Sequence, residues 1–184
     1  MTNFKKLPGI QLFSLKGKSA IITGGSKGLG FAMAAGLASA GANVMLVARN
    51  QEECEQSAKE IAEEYQVKAI GFSADVTQGD QMNAMAAKAL ESFGSIDILI
   101  NSAGINIRGA IDELTEEDFK KVMDINVNGT WLASKAVISQ MKNQKKGSII
   151  NLASTLGLVG LANRTPYTAS KGAIVNMTKA LGLE

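Results

Sequence analysis

An α/β fold built on a doubly wound parallel sheet is predicted by three features. Short β-branched or apolar runs lack polar alternation, longer stretches of helical character separate them, and a glycine-rich turn joins the first run to the first helical stretch. Runs without alternation suit strands buried on both faces, and the stretches between them are long enough for the crossover helices of a parallel sheet. The first run, Ser19–Thr23, leads into Thr23-Gly24-Gly25-Ser26-Lys27-Gly28-Leu29-Gly30. Gly30–Ala40 then carries Phe31, Met33, Ala34, Leu37 and Ala38 and stops at Gly41, a residue suited to ending helices. Asn43–Val47 is the second strand, and Gln51–Tyr65, rich in Glu, Lys and Ala, the second helix. Lys68–Ser73, Asp80–Phe93 and Ile96–Asn101 continue the alternation. Glu116–Lys142 reads as one long helix with Thr115 as N-cap and Asp118 in its first turn. After the fifth strand, Ser148–Leu152, Thr165 can cap and Pro166 can begin a last helix, Pro166–Leu183. No repeat, low-complexity tract or linker interrupts the series, so residues 1–184 read as one domain.

Composition excludes several functions. The chain has 46% apolar residues, enough for a substantial core, and 19 basic against 17 acidic residues, interspersed, for a net charge of +2. That balance offers no one-sign field for nucleic acid or an anionic membrane. Lys142, Lys145 and Lys146 read as a solvated helix end, where cations complement the dipole. The segment Met1–Lys18 lacks a long apolar run, and no stretch reaches the about 20 apolar residues of a membrane span, so a cytoplasmic location is expected. Cys54 is the single cysteine, which excludes an internal disulfide; its neighbours Glu52, Glu53 and Glu55 disfavour a thiolate. Histidine is absent, which removes Ser-His-Asp and Cys-His catalysis and argues against a catalytic zinc, so no metal site is expected. Proton chemistry falls to tyrosine, lysine or carboxylates.

The glycine turn lies where a strand enters a helix. With Gly24, Gly28 and Gly30 in it, and Ser26, Lys27 and Leu29 between them, backbone N–H groups and the helix N-terminus can face a pyrophosphate. Its spacing, G-x-x-x-G-x-G, differs from G-x-G-x-x-G, and glycines also serve tight turns that bind nothing. Ala48-Arg49-Asn50 ends the second strand, where dinucleotide-binding sheets offer an acid to a ribose 2′-hydroxyl. A guanidinium at Arg49 instead suits a 2′-phosphate, with Lys27 as a second cation, so NADP(H) is expected in preference to NAD(H). In the alternative, Arg49 stacks on adenine or is solvated while Glu52 or Glu53 takes the ribose. In Ala74-Asp75-Val76, Asp75 can accept from an adenine amino group or cap the next turn.

Tyr167 and Lys171 stand one helical turn apart, on one helix face. Free tyrosine ionises near pH ~10, and making a phenolate at neutral pH takes about 4 kcal/mol, the order that one ammonium at ~4 Å supplies at an effective dielectric near ~20. The pair is therefore a candidate acid/base that needs no histidine.

Together these motifs closely resemble the short-chain dehydrogenase/reductase family over nearly the whole chain. Thr23-Gly24-x-x-x-Gly28-x-Gly30 resembles its cofactor turn, Asn101-Ser102-Ala103-Gly104 its N-x-A-G element, and Ser154 with Tyr167-x-x-x-Lys171 its catalytic set. The resemblance implies a Rossmann-type sheet of strand order 3-2-1-4-5. It also implies cofactor contacts from Asn101, Ala103, Gly104, Tyr167 and Lys171, with Tyr167 as acid/base and Lys171 lowering its pKa and holding the nicotinamide ribose. Ser154 then orients the substrate oxygen and Asn126 holds a proton-relay water; a structural amide is the alternative reading of Asn126 and of Asn101. Phe13–Lys18 and Gly104–Arg108 resemble the gluconate 5-dehydrogenase branch, in which Arg108 would pair with a sugar-acid carboxylate. Reduction of 3-oxoacyl groups on an acyl carrier is the rival, and a solvent-facing arginine the alternative for Arg108. Family strands six and seven are not found before Glu184, so an open apolar edge at the fifth strand is expected, in a truncated enzyme or a short form that binds nucleotide or a partner without turnover. The resemblance also implies a homodimer or homotetramer through the helices over Glu116–Lys142 and Pro166–Leu183, with Trp131, Leu132 and Val137 as contact candidates or core residues.

Overall fold

The computed structural model describes residues 9–184. Five parallel strands, β1 (Ser19–Thr23), β2 (Asn43–Ala48), β3 (Ala69–Ser73), β4 (Ile98–Asn101) and β5 (Ser148–Asn151), form one sheet in the order β3-β2-β1-β4-β5. The helices between them are α1 (Gly28–Ser39), α2 (Gln51–Tyr65), α3 (Gly79–Phe93), α4 (Glu116–Met123) and α5 (Gly129–Gln144), and α6 (Thr165–Leu181) follows β5. Alternation along β1 sorts the two faces: Ile21 packs with Met45, Met82, Met85, Leu99 and Val137 under α3 and α5, while Ala20 and Ile22 pack with Leu46, Ala34, Ala38 and Ile61 under α1 and α2. Both faces of the central strands are thus covered, as their apolar runs require. Gly41, with φ +96°, ends the first helix region after the cap Ala40. Cys54 is buried in α2, and burial pushes its thiol pKa up.

Three expectations need correction. Glu116–Lys142 is not a uniform α-helix: residues 116–144 form one unbroken helical run, in which a π turn at Asp124–Asn128 separates α4 from α5. Two constraints meet there. The Asn126 amide is tied to Ile105, and Gly129 lies so close to Val76 that a Cβ would meet its Cγ2 at 2.6 Å, so the helix widens to satisfy both. Thr165 does not cap α6; Arg164 takes the cap position and Pro166 still falls in the first turn, where its missing N–H costs nothing. Val137 is fully buried in the core and leaves the list of contact candidates, whereas Trp131 is 41% exposed with the Lys135 ammonium 4.7 Å from its ring centroid. β5 is the open sheet edge expected of the fifth strand, with Ile150 46% exposed, and α6 reaches it through Asn151 Nδ2 donating to Thr178 Oγ1 at 2.9 Å.

A buried carboxylate ties together the N-terminal ends of β1, β4 and β5. Asp97 accepts from Ser95 Oγ (2.7 Å) and Ser19 N (3.1 Å) and pairs with Lys18 (3.3 Å) and Lys146 (3.2 Å), its side chain 5% exposed. Burial alone would raise its pKa, but the Ser95 hydroxyl, the Ser19 N–H and the two ammoniums outweigh it and hold the group at about 2. A carboxylate whose folded pKa lies below the unfolded ~3.9 stabilises the fold above that value and ceases to as pH falls through the folded one. Asp97→Asn is therefore expected to cost about 2 kcal/mol at pH 7 and to flatten the stability profile between pH ~4 and ~2. Urea unfolding across that window checks it; an unchanged slope would show that the ion cluster contributes nothing.

Candidate active site

A cleft of about 550 Å³ opens at the C-terminal ends of the strands, within the range of small-ligand sites. Its walls come from the glycine turn, the ends of β2 and β3, the segment after β4, and α6. Parallel sheets place their ligands at this end, where the connections to either side diverge.

The glycine turn is shaped by close backbone packing. Gly24 has φ +65°, and a Cβ there would lie 2.9 Å from the backbone of Ala103; a Cβ on Gly30 would fall on the carbonyl oxygen of Gly24. Thr23 Oγ1 accepts from the N–H groups of Ser102 (3.2 Å) and Ala103 (3.3 Å), locking the segment after β4 against the turn. α1 begins at Gly28 with no side-chain cap and no acid in its first turn, so its leading N–H groups remain available to an anion. Bare backbone, uncapped donors and a cleft of this volume fit the pyrophosphate of a dinucleotide.

Around this turn the expected cofactor residues divide. Gly24, Ser26, Lys27, Leu29, Gly30, Arg49, Asp75, Val76, Ala103 and Gly104 line the cleft. Asn50 does not: its Oδ1 accepts from Glu53 N at 3.2 Å, so the side chain is the N-cap of α2. Asn101 is buried behind the cleft, its Nδ2 donating to Ser134 Oγ (3.0 Å) and Asn151 Oδ1 (2.8 Å), which pins β4 to β5 and α5. Its Oδ1 is buried without a partner among the described residues. Asp75 turns one oxygen to Thr77, accepting from N (2.9 Å) and Oγ1 (2.8 Å), so the turn-capping alternative is realised. Lys27 pairs with Glu53 at 3.3 Å, while Arg49 is exposed on the cleft wall.

On the opposite wall α6 presents Tyr167 and Lys171 together. The Lys171 ammonium lies 5.5 Å from the Tyr167 ring centroid and donates to the Leu152 carbonyl at 2.6 Å. Lys171 is 6% exposed, and burial pushes its pKa down. Ser154 caps the 3₁₀ turn Thr155–Gly157, accepting from Leu156 N at 3.2 Å, next to Ala153 on the cleft wall. That turn is held tightly against α6, because a Cβ on Gly157 would meet Lys171 O at 2.7 Å. Asn126 is fully buried and its amide is spent: Oδ1 accepts from Ile105 N (2.8 Å), and Nδ2 donates to Ile105 O (3.0 Å) and Ser170 Oγ (3.0 Å). Arg108 is exposed on the loop after β4 and outside the cleft lining.

Sequence reasoning missed Ser170, which joins the Asn126 amide to the Tyr167 carbonyl (2.7 Å), and the Leu152 carbonyl that holds Lys171. Ser170 stands at i+3 from Tyr167, a spacing that allows a hydroxyl to bond back to the preceding turn. Backbone acceptors carry no residue signature.

A profile of the family described as short chain dehydrogenase matches residues 18–184. The chain is 36% identical to 2-dehydro-3-deoxy-D-gluconate 5-dehydrogenase of Formosa agariphila over 175 residues, 95% of this chain and 66% of that protein. It is 35% identical to a 3-oxoacyl-[acyl-carrier-protein] reductase of Chlamydia muridarum, over 92% of this chain and 68% of the relative. Among solved structures, NAD⁺-bound xylitol dehydrogenase superposes with a TM-score of 0.89 at 34% identity, over 92% of this chain and 65% of that one. The chain thus spans about two thirds of the length of these relatives.

Proposed function

The chain belongs to the short-chain dehydrogenase family, and we propose that it serves an NADP(H)-dependent oxidoreductase acting between a secondary alcohol and a ketone. The observation that carries this reading is the buried Lys171 ammonium beside the Tyr167 ring, on a cleft whose other wall is a glycine turn with uncapped N–H donors. A bound nicotinamide would supply or accept the hydride.

The chain's own groups divide the remaining work. In oxidation, Tyr167 takes the alcohol proton as the carbon yields its hydride; in reduction it returns a proton to the carbonyl oxygen. Lys171 gives one N–H to Leu152 and retains two donors for the hydroxyls of the nicotinamide ribose. Because the Ser154 oxygen accepts from Leu156 N, its own hydrogen is free to reach a substrate oxygen. Asn126, through Ile105 and Ser170, holds the loop after β4 against α6. Arg49 and Lys27 favour a 2′-phosphorylated nucleotide.

A sugar acid is the substrate class we favour, on the dehydrogenase relative named for a gluconate derivative, although Arg108 faces solvent outside the cleft lining. The acyl-carrier reductase relative supports the second reading, a 3-oxoacyl thioester. A cytoplasmic location and assembly as a homodimer or homotetramer, with exposed Trp131 at the contact, belong to the same proposal; no helix among the described residues is long and apolar enough to cross a membrane. NADPH consumption by this chain with 5-ketogluconate and with an acetoacetyl thioester tests it. Faster turnover of the keto acid is expected; preference for the thioester selects the second reading, and nucleotide binding with no turnover of either leaves a binding-only form.

A further inference from the structure

Resting on the nucleotide reading above, we propose that Glu53 sets coenzyme preference by competing with a 2′-phosphate for Lys27. Glu53 Oε2 accepts from both Ser26 Oγ and Lys27 Nζ, each at 3.3 Å. The carboxylate is held in position. Asn50 caps the Glu53 N–H at the start of α2, and Ser57 Oγ donates to Ser26 O at 2.8 Å, fastening the glycine turn to the same helix. Ser26, Lys27 and Arg49 line one part of the cleft, so a polyanion entering there meets two cations, one already neutralised.

The consequences for the two coenzymes are opposite. A 2′-phosphate must displace Glu53 from Lys27 and then sit near an unpaired carboxylate, which opposes binding. A ribose 2′-hydroxyl can instead donate to that carboxylate, leaving the ion pair intact. Glu53 therefore lowers selectivity for the phosphorylated nucleotide below what Arg49 and Lys27 would give alone, and the two sequence-based readings of this strand end become competing ligands of one subsite. The ion pair is open to solvent, with side-chain exposures of 79% for Lys27 and 44% for Glu53, so the effect is severalfold rather than many orders of magnitude.

Calorimetric binding of adenosine 2′,5′-bisphosphate and of 5′-AMP tests this without any turnover. Glu53→Gln keeps an acceptor for Ser26 and removes the charge. It is expected to tighten the bisphosphate about three- to tenfold and to leave 5′-AMP unchanged or weaker, with the gain shrinking at high salt. Lys27→Ala measures the other half of the pair and is expected to weaken the bisphosphate and, combined with Glu53→Gln, to leave only the part of the gain that comes from relieving direct repulsion of the phosphate by the carboxylate. An unchanged ratio in Glu53→Gln, with Lys27→Ala still weakening the bisphosphate, overturns the role of Glu53 and spares the NADP reading. Binding of neither nucleotide by the unaltered chain overturns both.

Discussion

Tyr167→Phe is expected to lower turnover by about 10³-fold while nucleotide affinity stays within about twofold, because one positioned acid/base contributes roughly 10²–10⁴. The substitution deletes an oxygen that forms no hydrogen bond among the described residues; the contact of this residue with Ser170 is through its backbone carbonyl. The half-buried ring remains over Lys171, so stability is expected to change by no more than about 0.5 kcal/mol. Loss of rate with intact folding and binding would thus assign the loss to the hydroxyl. Burial pushes the Lys171 pKa down, so the ammonium beside Tyr167 loses its proton at lower pH than a solvated lysine would. Activity of the unaltered chain is accordingly expected to fall on the alkaline side as that charge is lost. Steady-state rates with NADPH and a ketone, paired with urea unfolding of both forms, make the comparison. Turnover within tenfold of the unaltered chain would remove Tyr167 from the chemistry.

The sheet and most of this site were legible because each depends on residue type at short range. Unbroken apolar runs marked the strands and α2 had the expected bounds, while β4 begins at Ile98 rather than Ile96 because the Gln144 amide takes both backbone groups of Ile96 in place of a neighbouring strand. Tyr167 and Lys171 share a face because i and i+4 always do. What escaped was set by contacts between distant segments. The π turn at Asn126 arises from Ile105 and Val76, neither of them neighbours in sequence, so helical periodicity alone continued straight through it. Strand-end position points Asn50 to the cofactor, and the family resemblance points Asn101 there with a structural amide as the alternative; an asparagine has a cap or a cross-strand partner as readily as a ligand, and here each finds one. The Lys27–Glu53 pair joins a turn to a helix across β2, and no local pattern announces it.

Gly30→Ala is expected to have the second large effect, and it tests whether the glycine turn is bare for a ligand or bare for packing. The added Cβ would fall on Gly24 O and lie 2.7 Å from Gly24 C and 3.1 Å from Gly25 Cα. All three are backbone atoms, so no side-chain rotation relieves the collision and the turn itself must shift. A loss of about 1–3 kcal/mol in stability follows from such overpacking. Gly24 is in turn packed on Ala103, so movement there also displaces the segment after β4 that lines the cleft; binding of adenosine 2′,5′-bisphosphate is expected to weaken at least about tenfold. Two other glycines separate the causes. Gly28 has φ +59° and no neighbour within 4 Å, so alanine there costs about 1–2 kcal/mol in backbone strain without collision. Gly36, inside α1 and also without neighbours within 4 Å, is expected to gain about 0.5–1 kcal/mol as alanine with binding unchanged. Unfolding and nucleotide calorimetry on the three variants give the pattern. If Gly30→Ala binds nucleotide as tightly as Gly36→Ala does, the close approach of Gly30 to Gly24 does not shape the site.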